Sequence, residues 1–251
     1  MADDNMTLES YLAQGGVLTS PANASPRYRA EVMKIMATFV DSELAGAAGF
    51  ADVVNKAPGL RERIAASKIV LEKTRHAETV LELMGEFGTN TARYATSHPW
   101  AARLARDATA DTRRSDHDMR LSVFNYPLSG WVDAVTMNLV MGLAVGVQLG
   151  DLRKLSYQPL AEKFAEIAPV EANHVKLASE GLAALVEAGD ADAIRLSLDY
   201  WRARVAPIFG SEDPTRFKSL AALGLRHRSS AEMRADWDAA LGDALAGLGL
   251  G

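Results

Sequence analysis

The stretch FAEIAPVEANHVKLASEG, residues 164–181, sets a carboxylate and an imidazole three residues apart, Glu171 and His174. On a helix that spacing puts both side chains on one face, one turn apart, within reach of the same metal ion. Their same-face neighbours are apolar: Phe164, Ile167, Ala168, Val175 and Ala178 around Glu171, and Ile167, Val170, Leu177, Ala178 and Gly181 around His174. Ionisable groups inside an apolar stripe are costly to bury unless paired or bound to a cation. A half-exposed helix edge is the plain alternative, and the rest of the chain bears on the choice.

The chain has 251 residues, a formal net charge of −5 and no cysteine. That length buries a substantial core, as one domain or as a domain with an extension. Without a basic excess, nucleic acid is not an expected partner. Without cysteine there are no disulfides, thiolate zinc sites or iron–sulfur clusters, so histidine and carboxylate remain as metal ligands. The start, MADDNMTLES, is acidic and polar rather than signal-like. The uncharged run between Asp133 and Asp151 falls short of the roughly 20 residues of a spanning helix and contains Asn138 and Gln148. It reads as the buried helix of a cytoplasmic, non-membrane protein.

Almost every segment reads as helix. Residues 1–24 form a polar lead-in. Ser25-Pro26 is a cap followed by proline at the first helical position, opening a long helix to about Lys56 that Pro58-Gly59 ends. A second runs from about Leu60 to Phe87, with Gly88 as its stop. Residues 89–128 are less regular, with a short helix expected near 100–107. Ser129 is placed to cap a third long helix to Gly150. Ser156 opens the fourth, to about Gly189, with a kink expected at Pro169. Shorter helices follow at about 190–206, 214–224 and 230–247. No strand alternation or repeat is present. Two pairs of long helices separated by a long connection describe an all-α, ferritin-like four-helix bundle over 25–189, with a C-terminal helical extension over 190–251 packed on it.

Metal ligands in such bundles project inward from all four helices: a carboxylate from each of two, and a Glu-x-x-His from each of the others. Glu43 supplies the first, with Met36, Phe39, Val40, Gly46, Ala47 and Phe50 around it; a core Glu paired with a neighbouring helix's Arg or Lys is the alternative. On the second helix, His76 shares its face with Ile69, Val80 and Leu83. Three residues before it stands Lys73 where a glutamate belongs, and Glu72 lies roughly 100° around the helix from that position.

Glu43, the segment KAPGLRERIAASKIVLEKTRHAE, the segment YPLSGWVDAV and the run from Ser156-Tyr157 to Glu171 and His174 together carry a resemblance. Over about residues 25–185 the chain resembles the phenylacetic acid catabolic protein family of ferritin-like di-iron oxygenases, whose catalytic members are phenylacetyl-CoA monooxygenases (epoxidases). The resemblance implies metal ligation by Glu43, His76, Glu171 and His174, with Lys68 matching a lysine near the metal site. It also implies an aromatic or acyl-CoA substrate, with coenzyme A as part of it, a reductase or sister subunit, and an oligomeric assembly. Two departures stand out. Lys73 replaces the glutamate of the second-helix motif, and Gly142 replaces the third-helix aspartate, with Asp133 and Asn138 on the wrong turns to substitute. Two carboxylates fewer and one ammonium more shift the local charge by about +3.

Three readings follow. In the leading one the chain is a non-heme oxygenase that hydroxylates or epoxidises its substrate. Its iron or manganese site is mononuclear or an atypical di-iron centre, and Lys73 occupies the second metal's space, with Lys73 and Lys68 as catalytic-site residues. In the second the chain is a metal-free, partner-binding subunit whose buried Lys73 pairs with Glu43 or Glu171. In the third it is an iron store. The oxygenase reading requires an apolar pocket near Phe39, Glu43, Leu139 and Gly142, lined from the first three long helices. The subunit reading requires that space to be filled. Gly142, Gly146 and Gly150 serve either close packing or such a cavity. Arg103, Arg106, Arg113 and Arg114 suit coenzyme A phosphates or a solvated face. His98 and His117 are expected to be exposed, and Trp131 to anchor packing.

Overall fold

The computed structural model describes residues 6–97, 99–109 and 118–251. Among these there is no strand; a single backbone pairing joins Leu18 to Tyr157. Four long helices dominate: α2 (Pro26–Val53), α3 (Leu60–Glu86), α5 (Trp131–Leu152) and α6 (Gln158–Glu187). They are joined by α1 (Leu8–Ala13), α4 (Thr91–Tyr94), α7 (Ala191–Val205), α8 (Pro214–Ala222) and α9 (Ser230–Gly247). The all-α fold fits a ferritin-like helical bundle.

Local chemistry explains most boundaries. The Ser25 side chain accepts a hydrogen bond from the Tyr28 N–H at the start of α2. α8 is capped by Asp213, and α9 by a reciprocal capping box between Ser229 and Glu232. Ser129 does not cap α5. Its N–H instead donates to the Asp133 carboxylate at 2.8 Å, and Gly130 at φ +124° turns the chain into the helix. α6 continues through Pro169. The lead-in carries α1 and a 3-10 turn at Pro21–Asn23.

The short helix expected near 100–107 does not form. The Leu104 N–H donates to the Asn125 carbonyl at 2.7 Å, so this segment spends its backbone on a neighbouring loop. Arg103 donates to the carbonyls of Ala45 and Trp100. Arg106 forms a two-pronged pair with Asp133 at 2.7 and 2.8 Å. Both arginines stitch this segment to the bundle, which is neither a solvated face nor a free phosphate site. Arg113, Arg114, His98 and His117 lie outside the described residues.

α2 pairs with α3 and α5 with α6, as the connection lengths imply. One apolar cluster joins the first half of α2, the second half of α3 and the first half of α6. Another joins α5, the end of α6, α7 and α9, with Trp201 and Trp237 fully buried in it. α5 is long and apolar enough to cross a membrane by length and composition, yet two thirds of it is buried here (67%). It is apolar nearly all round because α6 covers one side and α7 and α9 cover another.

Candidate functional site

Between the two clusters lies a knot of charge. α2 contributes Glu43, α3 contributes Lys73 and His76, and α6 contributes Glu171 and His174; all five are buried. The two helix pairs bring them together because each residue interrupts an apolar stripe that must face the centre of the bundle. The Lys73 Nζ donates to Glu43 Oε1 at 3.1 Å and to Glu171 Oε1 at 3.1 Å. His76 Nδ1 stands 3.3 Å from Glu43 Oε2 and 3.2 Å from Glu171 Oε1. Each carboxylate is therefore held by the same two cationic side chains.

His174 sits one turn beyond Glu171 and looks the other way. Its Nε2 meets Glu72 Oε2 at 2.8 Å. Its Nδ1 lies 3.3 Å from Glu171 Oε1 without the alignment of a hydrogen bond, and so is a buried nitrogen lacking a hydrogen-bond partner among the described residues. The sequence puts Glu72 beside the missing ligand position; the structure gives it another task, anchoring the far edge of His174. The 100° offset turns Glu72 away from the ligand position without saying which helix it faces. Lys68 is half exposed (53%) and reaches Glu72 at 3.6 Å. It does not join the buried cluster.

Electrostatics favours the charged forms. Burial alone would depress the Lys73 ammonium, but the Glu171 and Glu43 charges outweigh it and raise its pKa above the ordinary value. Burial likewise opposes a charged His76, yet hydrogen bonds to Glu171 and Glu43 raise it to about 9. Glu171 is held well below the usual carboxylate range: burial pushes it up, and Lys73, His174 and His76 more than reverse that. At neutral pH the raised Lys73 and His76 are both cationic, and both face Glu43 and Glu171.

Ligand atoms of Glu43, His76 and Glu171 lie within 4.8 Å of one another, close enough to grip one cation. The set does not fit two iron ions. The second-helix carboxylate position is an ammonium already bonded to both remaining glutamates. The third-helix position, Gly142, has no donor, and a Cβ placed there would meet Val175 Cγ2 at 2.8 Å. Val175 fills the space an aspartate would need. Asn138 donates to the His174 carbonyl at 3.2 Å, and Asp133 accepts from Arg106, Ser197 and Trp201, so neither polar neighbour replaces it.

The expected pocket is also redrawn. Leu139 is wholly buried, and Gly142 packs against α6. A cavity of about 30 Å³ remains beside Lys73, Gly46 and Gly142, room for a water and nothing larger. Phe39 and Glu43 do line a larger cleft of about 340 Å³, but its walls are α2, the connection at Met119, Leu121 and Phe124, α5 and the C-terminal segment, with no contribution from α3.

No curated protein matches this chain. The family model described as phenylacetic acid catabolic protein matches residues 8–251, which takes in all nine helices just described and every member of the buried cluster. The chain therefore belongs to the phenylacetic acid catabolic protein family.

Proposed function

We propose that this chain is a non-catalytic subunit of a phenylacetate-oxidising complex, one that supports a partner subunit rather than activating oxygen itself. The observation that carries this reading is the Lys73 ammonium, bonded at 3.1 Å to Glu43 and to Glu171, where a bound cation would otherwise sit. Membership of a family of di-iron oxygenase type ties the chain to phenylacetate catabolism. Its own donor set opposes the chemistry of that type. A metal would have to displace a cation covalently fixed to α3, and the Lys73 proton is held by two carboxylates.

A surface suited to a partner supports the same reading. Leu60, Ile64 and Leu71 on α3 are exposed at 75%, 60% and 50%. At 100° per residue they fall within about 40° of one another, forming an outward apolar stripe.

Elemental analysis after incubation with ferrous iron, together with oxygen consumption alone and beside a catalytic partner, tests the proposal. We expect substoichiometric metal and no turnover by the chain alone. Lys73→Glu should raise iron retention, because it restores Glu-x-x-His on α3. The second reading, a mononuclear iron or manganese oxygenase acting on an aromatic acyl-CoA, is favoured by the convergence of Glu43, His76 and Glu171. One equivalent of tightly held iron in the unaltered chain, lost in His76→Ala, would establish it instead.

A further inference from the structure

Part of the wall of the 340 Å³ cleft is α8, which supplies Arg216 and Leu220, while α2 supplies Glu31 and Ile35. α8 is held unlike its neighbours. None of residues 210–222 is buried, whereas Phe209 before them and Leu223 after them are. Leu220 is half-buried and packs on the apolar cluster below. The helix that α8 packs against, α1, likewise buries no residue. An element with so little buried apolar surface belongs to the low end of local stability.

Both ends of this element are pinned. The Phe209 carbonyl accepts the Ser230 hydroxyl at 2.7 Å. The Leu223 and Gly224 carbonyls accept from the Ser156 hydroxyl and N–H at 2.6 and 2.9 Å. At each pin stands a glycine at positive φ, Gly210 at +80° and Gly224 at +61°, and such residues absorb the backbone rotation of a hinge. Between the pins, α8 is tied by polar contacts at or near the surface. Arg216 donates to both Glu31 oxygens, from Nη1 at 3.0 Å and also from Nη2. Arg27 donates to Ser219 Oγ at 2.5 Å, and Glu212 accepts the Ala231 N–H. Water competes well for bonds of this kind.

We propose that α8 is a lid on the cleft, swinging between Gly210 and Gly224 and latched shut by the Arg216–Glu31 pair. Arg216 is the latch because its bonds end on the cleft wall itself, whereas the ties of Ser219 and Glu212 lie outside that wall. Parting the pair does not strand Glu31, which keeps Lys34 at 3.4 Å. Once it parts, Leu220 and its helix leave the wall. The cleft then opens over about 13 Å, the length of nine helical residues. The inference rests on neither reading of the buried cluster, since no member of that cluster belongs to α8.

The chain has no cysteine, so a single introduced thiol reports on the cleft. Ile35→Cys places one on the cleft wall, one turn of α2 from Glu31. N-ethylmaleimide, a neutral reagent, should label this thiol slowly, and roughly 5-fold faster when Arg216→Gln is added. Arg216→Lys should fall between the two, since it keeps the charge and loses the two-pronged geometry. Hydrogen exchange in the Arg216→Gln protein should quicken over residues 211–222 and hold steady at 209 and 223–225, the pins. A frayed surface helix with no role over the cleft would quicken exchange without changing the labelling rate. If Arg216→Gln does not fold, Ser219→Ala removes a neighbouring surface tie and should move both readouts the same way by a smaller factor. The inference is overturned if the thiol is labelled equally fast with and without the latch. It is overturned as well if exchange quickens across α2 and α5 together with α8, since the opening is then global.

Discussion

Lys73 decides how the buried cluster behaves. It bonds both glutamates, so removing its charge leaves two acids facing one imidazole. Lys73→Met should destabilise the fold by about 3–5 kcal/mol, the usual cost of stripping one partner from a buried ion pair, read as a lower urea midpoint. His76 gives the cluster a pH signature. Its pKa is raised from 6.5 to about 9 on folding, so the folded state holds the proton more tightly. The stability this contributes is fully present below pH 6.5 and is lost as pH rises through about 9. The melting temperature should fall between pH 6.5 and 9.5, and less steeply in His76→Gln; an equal slope in both proteins would refute the assignment. The convergence of Glu43, His76 and Glu171 was legible in the sequence because each breaks an apolar helical stripe. The pairing of Glu72 with His174 was not, since it depends on how far α3 is rotated against α6.

At the scale of elements, α5 and α6 meet through Gly142. A methyl group there would stand 2.8 Å from Val175 Cγ2, and valine's branched side chain has little freedom to move aside. Gly142→Ala should therefore cost about 1–3 kcal/mol as an overpacked contact. Val175→Ala in the same chain should recover part of that loss, and a double-mutant cycle by thermal unfolding measures the coupling. From the sequence alone Gly142 reads equally well as a cavity or as close packing, because the residue that decides it lies 33 positions away. Helix starts were legible unevenly: Ser25 satisfies the Tyr28 N–H as its place before Pro26 implies, whereas Ser129 leaves α5 without a side-chain cap, and the caps at Asp213 and Ser229 emerge only in the structure. The segment near 100–107 misled because its backbone bonds run to Asn125, a contact that no local pattern encodes.

Across the whole molecule, Ser156 ties the first helix of the bundle to the chain's last third. Its Oγ is 2.7 Å from the Tyr28 hydroxyl and donates to the Leu223 carbonyl at 2.6 Å, and its N–H donates to the Gly224 carbonyl at 2.9 Å. Gly224 at φ +61° brings its backbone so near that a Cβ would lie 2.7 Å from Ser156 Cβ. Ser156→Ala removes two buried side-chain hydrogen bonds and strands the Tyr28 hydroxyl, costing about 1–3 kcal/mol. Hydrogen exchange should quicken around 220–226 as well as at the start of α2; quickening confined to α2 would show that the node does not couple the two regions.

A bound ion has a dissociation constant, and a lysine does not. On the subunit reading proposed above, the central positive charge is delivered on α3 itself, and the core would close as the chain is synthesised, whatever the cell's supply of iron. Chelator should leave its melting temperature unchanged, and protein made in iron-starved medium should accumulate fully folded. If the chain is such a subunit, its centre never waits for a cofactor, and it would be present ahead of its partner as a finished surface on which a metal-dependent one assembles.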